Sequence, residues 1–575
     1  MTSEELCPMS PSRRRRPTRA LAVLVLLLSC VATGLGTAAP ASAESYVPVS
    51  GAGSTWSQNA LDQWRRNVNQ YGMTINYAGT GSSDGRNQYK NGTVDFAVSE
   101  IPYGLKDGNV VDEAPRRGYA YMPIVAGGTA FMYNLKIGGR RVTNLRLSGE
   151  NVARIFTGTL TLWNDPAIAA DNPGLTLPAR AIVPVVRSDG SGTTAQFTTW
   201  LSKRYASSWD PYCAKAGRPT PCGITSNYPV VPSSGFTAQS GSLGVSGYVS
   251  QEQNEGTITY VEYSYALNTG YPVAKVLNKG GFYVEPNADN VAVGLLQARI
   301  VDDERSPQYL TQVLDGVYDN ADRRAYPLSS YSYMVVPTKA EGSFNTEKGK
   351  TLAAFAYYFL CEGQQQAPVL GYSPLPINLV QAGLQQVRRI PGVVAQDIDI
   401  SRCNNPTFSK DGRNTLATRA PQPPACDARG SQQCGTGTGG AKAPTPVKPA
   451  AAPAPRTGAG GGAAPVRPGR TTVGSTTTAS TPRGSGRGTV AQIDPETGQA
   501  RQPVVDPDTG EVVGFDAAGG PDLLAGGAVS AVPVSVGAAL SDGTTDALAV
   551  LAGLLLMVGV LAPPLLSRRI SRGRS

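Results

Sequence analysis

Gly51-Ala-Gly-Ser-Thr-Trp56 is the stretch on which the fold turns, because it leaves a strand-like run and opens a helix-like one. Two segments of the same character follow in the same setting, Gly79-Thr-Gly-Ser-Ser83 and Arg187-Ser-Asp-Gly-Ser-Gly-Thr193. A loop at a helix start can aim free backbone N–H groups and a hydroxyl at a small anion. Any one such loop is equally a turn or a cap. Three of them, with a carboxylate at Glu100 and a guanidinium at Arg187, point to a site that surrounds an oxyanion.

Outward from Gly51, the chain reads β-α-β-α-β. Thr55 or Ser54 can cap a helix whose apolar positions Trp56, Ala60, Leu61, Trp64 and Val68 share one face, and Gly72 ends it. Met73, Ile75 and Tyr77 alternate as in a strand, residues 83–91 suggest a short helix, and Val94, Phe96 and Val98 alternate again. The first two loops and Glu100 therefore fall at the carboxyl ends of strands, the edge where open α/β sheets bind ligands. A second α/β unit runs from a strand at Ile182 to Val186, through the Arg187 loop, into a helix from about Gly192. Ligand groups drawn from two units meet most naturally in a cleft between two lobes. Tyr260, Tyr263 and Tyr265 read as core and strand packing, and the Gly/Ser-rich residues 233–247 read as a mobile surface loop.

The chain has 575 residues, a net charge of +9, eight cysteines and no histidine. Without histidine it holds no Ser-His-Asp or Cys-His catalytic arrangement and no His-ligated metal. Residues 1–43 carry +3 and the last nine residues +4, which leaves +2 of the total for everything between. A body so close to neutral is not that of a nucleic-acid binder.

Arg13 to Arg16 and Arg19 precede the apolar run Ala20 to Leu28, and Ala41-Ser-Ala43 offers a cleavage site, the layout of a secretory signal peptide over residues 1–43. Leu27-Leu-Ser-Cys30 stands as an alternative lipid-attachment box. Cleavage at 43 would remove Cys7 and Cys30, leaving six cysteines in an exported chain where disulfides form. Closeness in sequence favours Cys213 with Cys222 and Cys426 with Cys434, leaving Cys361 with Cys403, one connectivity among many. No Cys-x-x-Cys pair supports the rival reading as metal ligands.

Residues 44–405 alternate strand and helix as one globular region, and 406–434 form a cysteine-containing tail. From 435 the composition falls to Gly, Ala, Pro and Thr, which predicts a disordered linker over 435–546. Its roughly 110 residues would span on the order of 60 Å as a flexible coil. Within it, Asp494-Pro-Glu-Thr-Gly498 and Asp506-Pro-Asp-Thr-Gly510 repeat, read as turns in a weak hairpin with a calcium site as the alternative. Ala547 to Leu566 is apolar over about the ~20 residues that cross a bilayer, and the basic tail 567–575 follows. The positive-inside rule puts that tail in the cytoplasm and the rest outside, a single-pass cell-membrane protein.

Six segments together resemble the phosphate-binding proteins of bacterial phosphate ABC transporters: Gly51 to Trp56, Asn76 to Ser83, Val94 to Pro102, Trp163-Asn-Asp-Pro-Ala-Ile168, Val185 to Thr193 and Ile258 to Ala266. They stand in that family's order within residues 47–380. The resemblance implies an α/β, two-lobed periplasmic-binding-protein fold that closes on its anion like a hinge. Lobe one would comprise residues 47–127 and 330–400 and lobe two 130–328, with crossings near Val125 to Phe131 and Tyr331 to Val336.

By motif match, the phosphate-contacting positions fall on Thr55, Trp56 through its backbone, Ser82, Glu100, Arg187, Ser191, Gly192 and Thr193, with Asp189 orienting Arg187. Glu100 stands where the family usually has Asp, and Trp56 where it usually has Phe. A carboxylate there repels an anion unless the anion brings a proton, as phosphate does near neutral pH and sulfate does not. The resemblance thus implies a monomeric, non-catalytic solute-binding protein that needs no cofactor, captures inorganic phosphate and delivers it to an ABC transporter permease. A surface sensor or interaction protein with the same fold, or a binder of another oxyanion, is the alternative. An enzyme on phosphate esters would need acidic metal ligands that no motif supplies.

Overall fold

In the computed structural model the described residues are 45–448, apart from Asn109, together with two short strands at Pro503–Val505 and Val512–Phe515. The strand-and-helix alternation after Val49 resolves into β1 (Val49–Gly53), α1 (Gln58–Asn69), β2 (Ile75–Ala78), α2 (Ser82–Lys90) and β3 (Phe96–Ser99). β1 lies between β2 and β3 and pairs in parallel with both. Gly53 is required where it stands: its φ is +136°, and a Cβ would fall 2.2 Å from the Val98 carbonyl oxygen.

Helix α1 buries Ala60, Leu61, Trp64 and Val68, the face its apolar spacing selects. Its N-cap is Ser57, with no side-chain cap bond, rather than Thr55 or Ser54. Ser54 still serves the helix start, because its Oγ accepts from the N–H groups of Trp56 at 3.0 Å and Ser57 at 3.3 Å. Trp64 stacks on Phe359 and donates through Nε1 to the Gly363 carbonyl at 3.0 Å. Truncating so enclosed a ring would cost about 3–5 kcal/mol.

A small hairpin, β4 (Lys106–Asp107) with β5 (Val110–Val111), precedes the element that joins the lobes. This is β6 (Tyr119–Tyr133), 15 residues long and buried at every position after Tyr119. At ~3.3 Å per residue it runs about 50 Å, enough to serve two sheets. Lobe two supplies β7 (Val183–Arg187), α3 (Gly192–Arg204), β8 (Thr237–Gln239), α4 (Gly241–Val249), β9 (Thr257–Glu262) and β10 (Val273–Leu277). The chain then passes α5 (Ala288–Leu295) and returns as β11 (Ser329–Pro337).

All these strands except β4, β5 and β10 form one path in the order β8-β7-β9-β6-β11-β3-β1-β2, and β10 joins it at β6. Along β6, Tyr119 to Gly128 pair with β11, while Thr129 to Tyr133 pair with β9. The outward crossing therefore lies at Gly128–Thr129. The return lies at Leu328–Ser329, upstream of the expected Tyr331 to Val336, because Tyr331 to Pro337 already pair with the lobe-one half of β6. Residues 233–247 are not a mobile loop: they hold β8 and most of α4, whose Ser242, Val245 and Ser246 are buried.

Helices α6 (Thr346–Leu360) and α7 (Ile377–Val387) complete lobe one. Three disulfides close, Cys213–Cys222, Cys361–Cys403 and Cys426–Cys434, the pairing that sequence proximity favours. The segment after Cys403 is a strap. Asn405 and Thr407 donate to the Leu375 carbonyl of lobe one, and α8 (Thr415–Arg419) then packs Ala417 with Ala292, Val293 and Ala325 of lobe two.

The linker does not begin at 435. Residues 435–448 are pinned to lobe two, with Thr438 N–H donating to the Thr143 carbonyl at 3.0 Å, Thr143 Oγ1 to the Ala443 carbonyl at 2.6 Å and Lys448 N–H to the Gly174 carbonyl at 2.9 Å. Low-complexity composition does not prevent a segment from adding to an existing sheet and core, and small residues allow the close approach seen here. Further along, Pro503–Val505 pairs antiparallel with Val512–Phe515. The signal peptide (1–43), linker residues 449–502, 506–511 and 516–546, with both copies of the repeat, the membrane segment 547–566 and the basic tail lie outside the described residues. Among the described residues no helix is long and apolar enough to cross a membrane.

Candidate functional site

Each of the three anion loops leaves a strand and enters a helix. β1 feeds residues 54–57 and α1, β2 feeds residues 79–81 and α2, and β7 feeds residues 188–191 and α3. Ser191 caps α3 by accepting from the Thr194 N–H at 3.1 Å, which turns the N–H groups of Gly192 and Thr193 toward the helix entrance. The second loop touches the third across the cleft, with Ser83 N–H donating to the Gly190 carbonyl at 3.1 Å, and the first reaches α4, where Thr55 Oγ1 lies 2.9 Å from Ser242 Oγ. The lobes are closed on one another.

Ser82, Glu100, Arg187 and Thr193 come together there, each no more than 3% exposed. Glu100 Oε2 accepts from Ser82 Oγ at 2.8 Å, and Oε1 accepts from Ser332 Oγ at 2.7 Å and from Ser54 Oγ. A carboxylate offers about four acceptor positions. Three are filled by hydroxyls, and the remaining one is on Oε2, the oxygen that faces Gly192 of lobe two: a Cβ on Gly192 would sit 2.0 Å from it. A ligand that reaches this oxygen must donate a proton to it, while the N–H groups at the start of α3 call for an acceptor. Thr193 Oγ1 is buried and has no partner among the described residues, so it can donate to a ligand oxygen there.

Arg187 and Asp189 form a two-pronged pair, with Nε donating to Oδ1 at 2.7 Å and Nη2 to Oδ2. Burial alone would push the Asp189 carboxyl up, but the guanidinium and the Gly241 N–H hold it below its ordinary value. Only Nη1 reaches elsewhere, to Ser242 Oγ at 3.4 Å. The Trp56 N–H is turned to Ser54 Oγ, and its ring is buried beside Tyr372.

Several supporting residues lie outside the motif-matched set. Ser54 and Ser332 hydrogen-bond Glu100, and Gln196 Nε2 donates to its carbonyl at 2.7 Å. Ser242 bridges Thr55 and Arg187. Buried Arg86 donates to the Ile101 carbonyl at 2.9 Å and so fixes the turn that carries Glu100. Beneath the loops, Tyr77, Tyr265 and Tyr372 donate to the carbonyls of Ser54, Thr55 and Trp56 in succession. Tyr260 accepts from the Arg187 N–H at 3.3 Å, and burial pushes its phenol up to about 12. These tyrosines therefore aim the first and third loops as well as filling the core. Ser54 stood inside a quoted motif, but nothing in sequence spacing brings Ser332 or Ser242 to Glu100 and Arg187.

A profile described as a PBP superfamily domain matches residues 37–362, more than half of the chain. A protein of Xylella fastidiosa (strain Temecula1) named phosphate-binding protein PstS is 33% identical over 345 residues, covering 60% of this chain and 86% of its own. The chain belongs to this family. Another PstS phosphate-binding protein, from Methanocaldococcus jannaschii, is 30% identical over 385 residues, 64% of this chain and 92% of the relative. PstS 2 of Mycobacterium tuberculosis is 30% identical over 334 residues, 56% of this chain and 82% of its own. Among solved structures, a phosphate-binding protein from Stenotrophomonas maltophilia aligns over 64% of this chain and 99% of its own, at 19% identity and a TM-score of 0.45. The α/β periplasmic-binding-protein fold is thus that of the PstS family, while residues 363–448, including the whole strap, lie beyond the superfamily profile.

Proposed function

We propose that this PstS-family chain captures inorganic phosphate between its lobes and is a solute-binding protein rather than an enzyme. The observation that carries the reading is the burial, side by side, of the Glu100 carboxylate, whose Oε2 faces Gly192, and the Thr193 hydroxyl, which has no partner among the described residues, at the start of α3. Monohydrogen and dihydrogen phosphate offer both a proton and acceptor oxygens, which suits that pair, whereas sulfate at neutral pH has no proton to give. In this reading Thr55, Ser82, Arg187, Ser191, Gly192 and Thr193 hold the phosphate oxygens, Glu100 takes its proton, Asp189 keeps Arg187 in register, and the Trp56 N–H, engaged by Ser54 Oγ, supports the first loop.

Phosphate held in this way is delivered to an ABC transporter permease, as the family resemblance implies. Export by the 1–43 signal and anchoring by 547–566 would place the binding domain outside the cell membrane at the end of the linker, with the chain acting as a monomer. Titration of the whole chain with phosphate, arsenate and sulfate by calorimetry tests this. Tight binding of the first two and none of sulfate is expected; a preference for sulfate, or binding of none of the three, refutes it.

A further inference from the structure

The β4–β5 hairpin is rooted in lobe one and ends on lobe two. At its root, Arg86 of α2 pairs with Asp112 at 2.6 Å, and Asp112 exchanges backbone hydrogen bonds with Gly104 and Leu105. Arg86 also braces the Ile101 carbonyl, so the hairpin and the Glu100 turn share one buried cation. At its end, Asp107 leaves its own lobe. Its carboxylate pairs with the Arg218 guanidinium and accepts from Thr225 Oγ1 at 2.8 Å and the Ser226 N–H at 3.3 Å, all in lobe two.

The receiving loop is equally well connected. Thr225 exchanges hydrogen bonds with Thr198 of α3, N–H to Oγ1 at 3.0 Å and Oγ1 to carbonyl at 2.9 Å. The Ser191 N–H donates to the Ser226 carbonyl at 2.9 Å, and Cys213–Cys222 closes the loop's base. Asp107 thus links the support of Glu100 and Ser82 to the support of Ser191, Gly192 and Thr193, without reaching the space between them. A recess of about 330 Å³ lined by Ser83, Asp107, Arg218 and Ser226 lies beside this contact.

We propose that Asp107 is a latch, a positioning residue that holds the closed lobes together and sets how long phosphate stays bound. This rests on the phosphate reading of the cleft. The three contacts can exist only when the lobes are closed, so they add to closure and nothing to the first encounter with ligand. Asp107 and Arg218 keep 27% and 21% of their side-chain exposure, so the pair is screened less than a free surface pair and strong salt weakens it. Charge-assisted hydrogen bonds of this kind act mainly on dissociation.

The test is stopped-flow phosphate binding and release on the whole chain, with small-angle scattering of the ligand-free protein. Asp107→Ala is expected to speed release about tenfold to a hundredfold while the association rate and the ligand-free melting temperature hold. Asp107→Asn, which retains the acceptor for Thr225 and Ser226, should fall between. The double variant Asp107→Arg with Arg218→Asp should recover part of the loss. Unchanged release in Asp107→Ala, or an equal loss in association, overturns the latch. Were wild type to bind no phosphate, the functional reading would fail by itself. The latch would then be judged on scattering alone, where Asp107→Ala should enlarge the radius of gyration and an unchanged radius overturns it.

Discussion

Gly192 of lobe two stands so close to Glu100 of lobe one that a Cβ on it would lie 2.0 Å from Glu100 Oε2 and 2.6 Å from Ser82 Oγ. The contact exists only across the closed cleft. Gly192→Ala should therefore leave each lobe folded and prevent full closure. A fall in phosphate affinity of at least about a hundredfold is expected, several kcal/mol of steric cost, with the ligand-free melting temperature unchanged within a few degrees. Calorimetry and thermal denaturation together check this; a variant that binds as wild type would show that the closed contact is not part of the bound state.

Arg187 and Asp189 are the second case. Arg187→Ala removes the cation and leaves Asp189 buried and unpaired, so it should abolish phosphate binding. Asp189→Asn keeps the guanidinium but loses the two-pronged hold, and should weaken binding about tenfold. The Asp189 carboxyl is held below its ordinary value of 3.8. Its contribution is therefore complete above that value and is lost as pH falls through the lower folded one. Acid unfolding of wild type and Asp189→Asn should converge in that range; a constant difference down to the lowest pH would contradict it.

What was legible in the sequence had a local cause. Strand patterns before the Gly/Ser/Thr loops, the apolar face of α1 and the short cysteine spacings depend on neighbours a few residues apart, and β1 to β3, α1, Cys213–Cys222 and Cys426–Cys434 follow them, while Cys361–Cys403, 42 residues apart, is reached only as the remaining pair. Ser332, Ser242 and Arg86 were not legible as parts of the site, because their partners Glu100, Arg187 and Ile101 are brought to them by sheet order and helix packing. Composition misled at the Gly/Ser-rich stretch 233–247 and at the Gly/Thr/Ala/Pro-rich start of the expected linker. Residues 237–249 form β8 and α4, and 435–448 dock on lobe two, since small residues tolerate close packing when a sheet and core are already there to receive them.

Glu262 supplies a pH prediction of opposite sign. It ends β9 beside the crossing, pairs in register with Thr129, and is fully buried, with Oε2 accepting from the Ser264 N–H at 2.7 Å. Burial pushes its carboxyl well above the ordinary 4.5, although hydrogen bonds from Ser264, Tyr263 and Tyr372 pull the other way. Between those two values the unfolded chain holds fewer protons than the folded one, so stability falls as pH rises. Glu262→Gln removes the titration. Its stability relative to wild type should climb from about pH 4.5 upward, by at most about 1.4 kcal/mol per pH unit; denaturant curves showing a constant difference from pH 4 to 8 would contradict it.

The strap gives a fourth expectation. Arg146, 1% exposed, donates to the carbonyls of Asp171, Cys426 and Ser431. Ending the chain after Asn405 would leave that buried cation short of two acceptors and uncover Ala292, Val293 and Ala325. A loss of about 3 kcal/mol or more is expected, read as a lower denaturant midpoint for lobe two. An unchanged midpoint would mean that the strap is not integral to the fold.

The central claim is that Glu100 selects an oxyanion by the proton it carries. Phosphate and sulfate affinities of wild type and Glu100→Gln, measured by calorimetry at neutral pH, test it most directly. The account predicts that wild type binds phosphate and rejects sulfate, and that Glu100→Gln, with an amide donor in place of the carboxylate, admits sulfate. Sulfate rejection unchanged in Glu100→Gln would contradict it.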